Sequence, residues 1–190
     1  MFTRAFDINA AANVVLAQAF LPAMISNNHG HFMTVASSAS YFSLPNLCAY
    51  SMSKTAALAF LETLRAELRA VYKACRVRTS VVTPTKVRTV LAEGLNEGDD
   101  DFLMPVLEPI QVARAMADTL NSGLSRNISL PLGSALLPYL RALPEWYRGA
   151  LRAMGNTDAL VTPESISRGQ QARRGHQSNL DHMKKLGVHS

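Results

Sequence analysis

The chain has 190 residues, 48% of them hydrophobic, with a formal net charge of +5. That length supports one domain with a real core, while two cysteines without paired spacing, Cys48 and Cys75, exclude a disulfide framework and a cysteine metal site. The compartment implied is reducing and cytoplasmic, and Arg4 and Asp7 interrupt any signal-peptide core.

Residues 5–27 read as a first helix, apolar nearly all round, and no Asp, Glu, Lys or Arg occurs from position 8 to position 53. Asn9, Asn13, Gln18 and Pro22 break a membrane-spanning reading of this segment, so a buried helix fits better. A strand is expected at 31–36, a second helix at 49–73 and a buried parallel strand at 76–83, carrying Val77, Val81 and Val82 and ended by Pro84. Arg65, Glu67, Arg69 and Lys73 would be the solvated side of the second helix. Residues 85–107 are irregular, and the run Asp99, Asp100, Asp101 reads as a solvated loop. Pro109 opens a helix that Gly123 closes, with Ile110, Ala113, Ala117 and Leu120 on one stripe. A short strand is expected at 127–130.

Residues 133–154 present Leu136, Leu140, Leu143, Tyr147, Leu151 and Met154 on one helical face and Arg141, Arg148 and Arg152 on another. Such a helix can lie on a lipid surface or close a pocket over the domain; the second is favoured. Residues 156–190 form a basic tail, expected to be disordered. From position 161 it carries five Lys or Arg against two acids. No aromatic interleaving accompanies that charge, which argues against nucleic acid as a partner.

The chemistry concentrates in SSASYFSLPNLCAYSMSK, residues 37–54. Tyr50 and Lys54 are four apart, so on a helix they share a face within mutual reach. A free phenol titrates near ~10, and an ammonium beside it favours phenolate, so this spacing predicts a tyrosine lowered toward general acid or base work. Ser37 follows the first strand, where its hydroxyl can hold the substrate oxygen that Tyr50 protonates. Alone, Ser37 could be a strand-end cap, Tyr50 a half-buried helix residue and Lys54 a solvated charge. No residue set has metal-ligand spacing.

Ser37, Tyr50 and Lys54, after a strand and at the start of a helix, resemble the Ser, Tyr-x-x-x-Lys site of the short-chain dehydrogenase/reductase family. FDINAAANVVLAQAFLPAMISNNHGHFMTVASSAS upstream resembles the family's Asn-bearing helix and strand, and VVTPTKVRT downstream its Pro-Gly-x-Val-x-Thr segment. FLPAM, NNHGH and VAS are most similar to the branch of 17-beta-hydroxysteroid dehydrogenases of lipid droplets and retinol dehydrogenases. The resemblance covers about residues 5–155 and implies an α/β fold. Its expected form is the carboxyl-terminal part of a Rossmann-type doubly wound parallel sheet, with the glycine-rich first half absent.

It further implies Asn9 as a fourth catalytic residue organising a water-linked proton path behind Lys54. Lys54 would hold the ribose of NAD or NADP, with Tyr50, Pro84, Val87 and Thr89 also contacting the cofactor. Thr85 departs from the family's Gly and puts close backbone approach there in question. The implied substrate is a lipophilic alcohol or carbonyl compound, of steroid, retinoid or fatty type. The implied partners are a second copy, met through helices 5–27 and 49–73, and an endoplasmic reticulum or lipid-droplet surface. The alternative is a non-catalytic remnant that binds a partner or a lipid surface because the phosphate-binding half is missing.

Overall fold

The computed structural model describes residues 2–89, 92 and 105–154, with single positions between 162 and 178. Helix α1 (Phe2–Phe6) runs through a π-helical turn (Asp7–Ala11) into α2 (Ala12–Ser26). Strand β1 (Gly30–Val35) follows, then α3 (Cys48–Ala70), β2 (Val77–Pro84), α4 (Pro109–Ser122), β3 (Asn127–Leu130), the short α5 (Leu137–Leu140) and α6 (Glu145–Met154). The strands form one parallel sheet in the order β1-β2-β3. This is the α/β, parallel-sheet arrangement expected from the sequence, and the strand positions agree with it to within about one residue.

The register explains where a site can form. Val35 pairs with Val82, and Val82 in turn with Ile128, so all three strands end on the same side. In such sheets ligands bind beyond those carboxyl ends. The core sits between α3 and the sheet, where Leu58, Leu61, Leu64 and Leu68 meet Phe32, Val77 and Val81. Their spacing of three and four residues is the helix's buried stripe. Phe32 and Phe60 meet edge to face with ring centroids 6.3 Å apart. The turn from α2 into β1 needs glycine: Gly30 has φ +155, and a Cβ there would lie 2.5 Å from Met24 Cγ.

Helix α4 forms as its punctuation predicts. The Glu108 backbone N–H donates to Gln111 Oε1 at 2.7 Å, Pro109 stands in the first turn, and Gly123 ends the helix in the left-handed region at φ 62.

Three expectations need correction. The first helix is not buried within this chain: only Ala10, Ala17 and Leu21 are, while Ile8, Val15, Leu16 and Phe20 are each at least half exposed. The segment Thr3–Ser26 is long and apolar enough to cross a membrane by length and composition, and it nevertheless packs on β1 and α3, burying Ala10, Ala17 and Leu21. Arg65 is not a solvated charge. It donates to Thr79 Oγ1 at 2.8 Å, Thr79 O at 3.1 Å and Asn127 Oδ1 at 2.9 Å, tying α3 to β2 and β3.

Residues 133–154 are not one helix. The stretch folds as a 3-10 turn, α5 and α6, with Pro138 in the first turn of α5 and Pro144, which lacks the N–H that would continue a helix, immediately before α6. Arg148 and Arg152 both pair with Glu145, so the basic face is partly neutralised by its own helix. In the tail, the described positions Glu164, Ser167, Arg168, Gln171, Arg174 and Ser178 are helical, with Ser167 Oγ donating to Glu164 O at 2.8 Å. The run Asp99, Asp100, Asp101 lies outside the described residues.

Candidate active site

Ser37, Tyr50 and Lys54 are brought together at the carboxyl end of β1. Ser37 leaves β1 in extended conformation, and its Oγ accepts from the Ala39 backbone N–H at 3.2 Å, starting a short 3-10 turn. The same hydroxyl donates to the Pro84 carbonyl at 3.5 Å, joining the ends of β1 and β2. Ser37 is buried, whereas Tyr50 and Lys54 are half-buried on the first turns of α3. Lys54 Nζ donates to the Val35 carbonyl at 2.9 Å and lies 5.9 Å from the Tyr50 ring centroid. An ammonium has three protons, so two remain for a ligand at this mouth.

Electrostatics correct one expectation. Burial pushes the Tyr50 phenol above its ordinary value, and its side-chain contact with Ser37 is what pulls it down. The Lys54 ammonium is pushed below its ordinary range, again by burial. In this site desolvation outweighs the attraction that the four-residue spacing suggested.

The sign of the tyrosine effect is testable. A phenol whose folded pKa lies above the unfolded value of about 10 stabilises the fold below that pH, and the contribution is lost as pH rises through the folded pKa. Ser37→Ala removes the downward influence, so the Tyr50 titration is expected to move further up. Absorbance titration of the chain, with a Tyr50→Phe chain subtracted to remove the other four of the five tyrosines, measures it. An unchanged or lower Tyr50 titration would show that Ser37 does not act on the phenol.

Asn9 lies in the π-helical turn and reaches α3: its Nδ2 donates to Ser53 Oγ at 3.0 Å, and Ser53 Oγ donates to the Tyr50 carbonyl at 2.8 Å. The structure thus places Asn9 directly behind the Tyr50 to Lys54 turn. Ser53, Asn13 and Thr34 are partners that the sequence reading did not single out. Their signal was present, since a polar residue in the charge-free stretch 8–53 must find a hydrogen-bond partner once buried.

The downstream residues divide. Pro84 is buried at the end of β2 and takes the Ser37 hydroxyl; Val87 is half-buried and bridges Leu107 in parallel register. Thr89 is exposed, with its Oγ1 donating to the Val87 carbonyl at 3.4 Å. Thr85, which follows Pro84, carries a buried hydroxyl with no hydrogen-bond partner. An orphaned hydroxyl beside Pro84, two free Lys54 protons and the Tyr50 hydroxyl suit the polar nicotinamide and ribose half of a dinucleotide. Among the described residues no group of His, Cys, Asp and Glu could hold a metal ion. A groove of about 460 Å³ lined by Cys48, Met52, Thr55 and Ala59 lies elsewhere, on the stripe of α3 turned away from Tyr50 and Lys54.

A family model for short chain dehydrogenases matches residues 1–100. Estradiol 17-beta-dehydrogenase 11 of Homo sapiens is 39% identical over 151 residues, covering 78% of this chain and 48% of the relative. Epidermal retinol dehydrogenase 2 of Mus musculus is 36% identical over 120 residues, covering 63% of this chain and 38% of the relative. The chain therefore spans about half the length of the curated relatives it matches. Among solved structures, a short chain dehydrogenase from Burkholderia cenocepacia in complex with NADP superposes with a TM-score of 0.59 at 26% identity, over 83% of this chain and 58% of that one.

Proposed function

Because the chain belongs to the short-chain dehydrogenase family, we propose that it carries the catalytic half of an oxidoreductase acting on the alcohol or carbonyl group of a lipophilic substrate. Steroid, retinoid and fatty alcohols are the candidate classes, and NAD or NADP is the cofactor. The observation that carries this reading is the convergence of Ser37, Tyr50 and Lys54 at one strand end, with Asn9 reaching the same turn of α3.

The residues divide the work by their chemistry. Tyr50 takes or gives the hydroxyl proton, and its raised pKa keeps it protonated and ready to donate in the carbonyl-reducing direction. Ser37, fixed by Pro84 and Ala39, holds the substrate oxygen beside the phenol. Lys54 binds ribose hydroxyls with the protons not used by Val35, and Asn9 orders the proton path behind it. Pro84, Val87 and Thr89, with the Thr85 hydroxyl, flank the nicotinamide end. When bound there, the nicotinamide supplies the hydride chemistry.

The domain is residues 1–155, with 156–190 as a basic tail. The exposed apolar side of α1 and α2, at Ile8, Val15, Leu16 and Phe20, suits contact with a second copy through helices 5–27 and 49–73. Its composition equally suits association of a cytoplasmic protein with the endoplasmic reticulum or a lipid-droplet surface.

The test uses the polypeptide as cells make it, captured with an antibody against residues 170–185 and assayed with estradiol, retinol and a long-chain alcohol. Nicotinamide reduction with at least one class, abolished in a Tyr50→Phe line, is the expected result. Turnover of none, by material that is folded and of full size, would overturn the reading and favour the partner-binding remnant.

A further inference from the structure

The stretch that carries Asn9 is almost entirely apolar, and a polar side chain half-buried in it costs free energy unless its hydrogen bonds are made. Asn13 is such a side chain, one helical turn after Asn9. Its Nδ2 donates to the Asn9 carbonyl at 2.7 Å, and its Oδ1 accepts from Thr34 Oγ1 at 3.3 Å. The orientation of this carboxamide follows from chemistry: the Asn9 carbonyl can only accept, so the nitrogen must face it, and the oxygen is left for the threonine hydroxyl. Thr34 is 1% exposed on β1, three residues before Ser37.

We propose that Asn13 is a positioning residue of the site, holding the Asn9 peptide in the orientation from which Asn9 engages the Tyr50 to Lys54 turn. This deepens the reading above and rests on it. A π-helical turn spaces its hydrogen bonds five residues apart and opens the regular ladder, so the backbone around Asn9 lacks the usual constraint of α-helix. Asn13 supplies a side-chain donor at that place and anchors it to the strand that ends at Ser37. From there the polar chain continues through Asn9 Nδ2 to Ser53 Oγ and on to the Tyr50 carbonyl. Ser53 is fully buried and immediately precedes Lys54. Thr34, Asn13, Asn9, Ser53 and the Tyr50 carbonyl thus join β1, α2 and α3 in one unbroken series behind the catalytic pair.

The test compares Asn13→Asp, nearly isosteric but unable to donate, with Thr34→Ser, which keeps the hydroxyl. Amide hydrogen exchange of the 190-residue chain reports coupling without any need for turnover. Loss of one hydrogen bond in the series is expected to speed exchange in segments 7–13 and 50–54 by roughly tenfold, with 16–26 and β2 unchanged. In the cell-derived enzyme the same variant is expected to lower kcat by about tenfold with KM nearly constant, and Thr34→Ser to retain both properties. Uniform acceleration along 7–26, or an unchanged 50–54 segment, would overturn the proposal, because Asn13 would then serve only the helix it stands on. If the unsubstituted enzyme shows no turnover while the exchange pattern appears, the catalytic reading fails and the coupling through Asn13 stands, so the two failures are told apart.

Discussion

Tyr50→Phe is expected to lower kcat/KM for a lipophilic alcohol by about 10²–10⁴-fold, the range that a positioned general acid or base contributes, while leaving the fold standing. The substitution keeps the ring that α3 half-buries and removes only the hydroxyl. Ser37 is not orphaned by the change, because its Oγ still accepts from the Ala39 N–H and donates to the Pro84 carbonyl. The cost in stability should stay near that of one hydrogen bond, about 1 kcal/mol. The measurement is initial-rate kinetics of nicotinamide reduction on the cell-derived polypeptide, with a thermal melt as control. A variant that melts like the parent and keeps more than about a tenth of the turnover would remove Tyr50 from the chemistry, since a lost proton donor of this kind costs at least tenfold more. A variant that also fails to bind cofactor would instead move the role of Tyr50 toward binding.

Some of this architecture is legible in the sequence because its determinants are local. The β-branched run before Pro84 reads as a buried strand, and the structure has β2 there. Pro109 and Gly123 mark both ends of α4. The offsets between Ser37, Tyr50 and Lys54 place all three once a strand is followed by a helix. What the sequence conceals is pairing over long chain separations. Asn9 meets Ser53 forty-four positions away, and Arg65 meets Asn127 sixty-two positions away; helical periodicity assigns a side to each residue and names no partner. The Tyr50 pKa is concealed for a related reason. Spacing reveals the nearby charge of Lys54, but the opposing effect depends on how much protein covers the phenol, which only the fold determines. The prolines of residues 133–154 did signal a broken helix, and the regular leucine stripe obscured them.

The hydrophobic packing beneath α3 leads to the second large effect, because the helix that carries Tyr50 and Lys54 is held to the sheet further along by the continuation of the same stripe. Leu61 is 1% exposed and belongs to the cluster with Leu58, Leu64, Leu68, Phe32 and Val81. Leu61→Ala removes buried methyl groups and leaves a cavity between helix and sheet, a change that costs about 2–5 kcal/mol. Against a total stability of about 5–15 kcal/mol for a domain of this kind, that loss should depress the urea midpoint sharply and leave part of the population unfolded at physiological temperature. Val15→Ala on α2 is the contrast: Val15 is 62% exposed within the chain, so its truncation should change stability by no more than about 0.5 kcal/mol. Urea unfolding followed by circular dichroism at two protein concentrations measures both. If Val15→Ala is costly and its cost grows with protein concentration, α2 is covered by a second copy in solution. If Leu61→Ala unfolds like the parent, then packing of α3 on the sheet is not what keeps Tyr50 beside Ser37, and Arg65, which bonds α3 to Thr79 and Asn127, becomes the tie to test next.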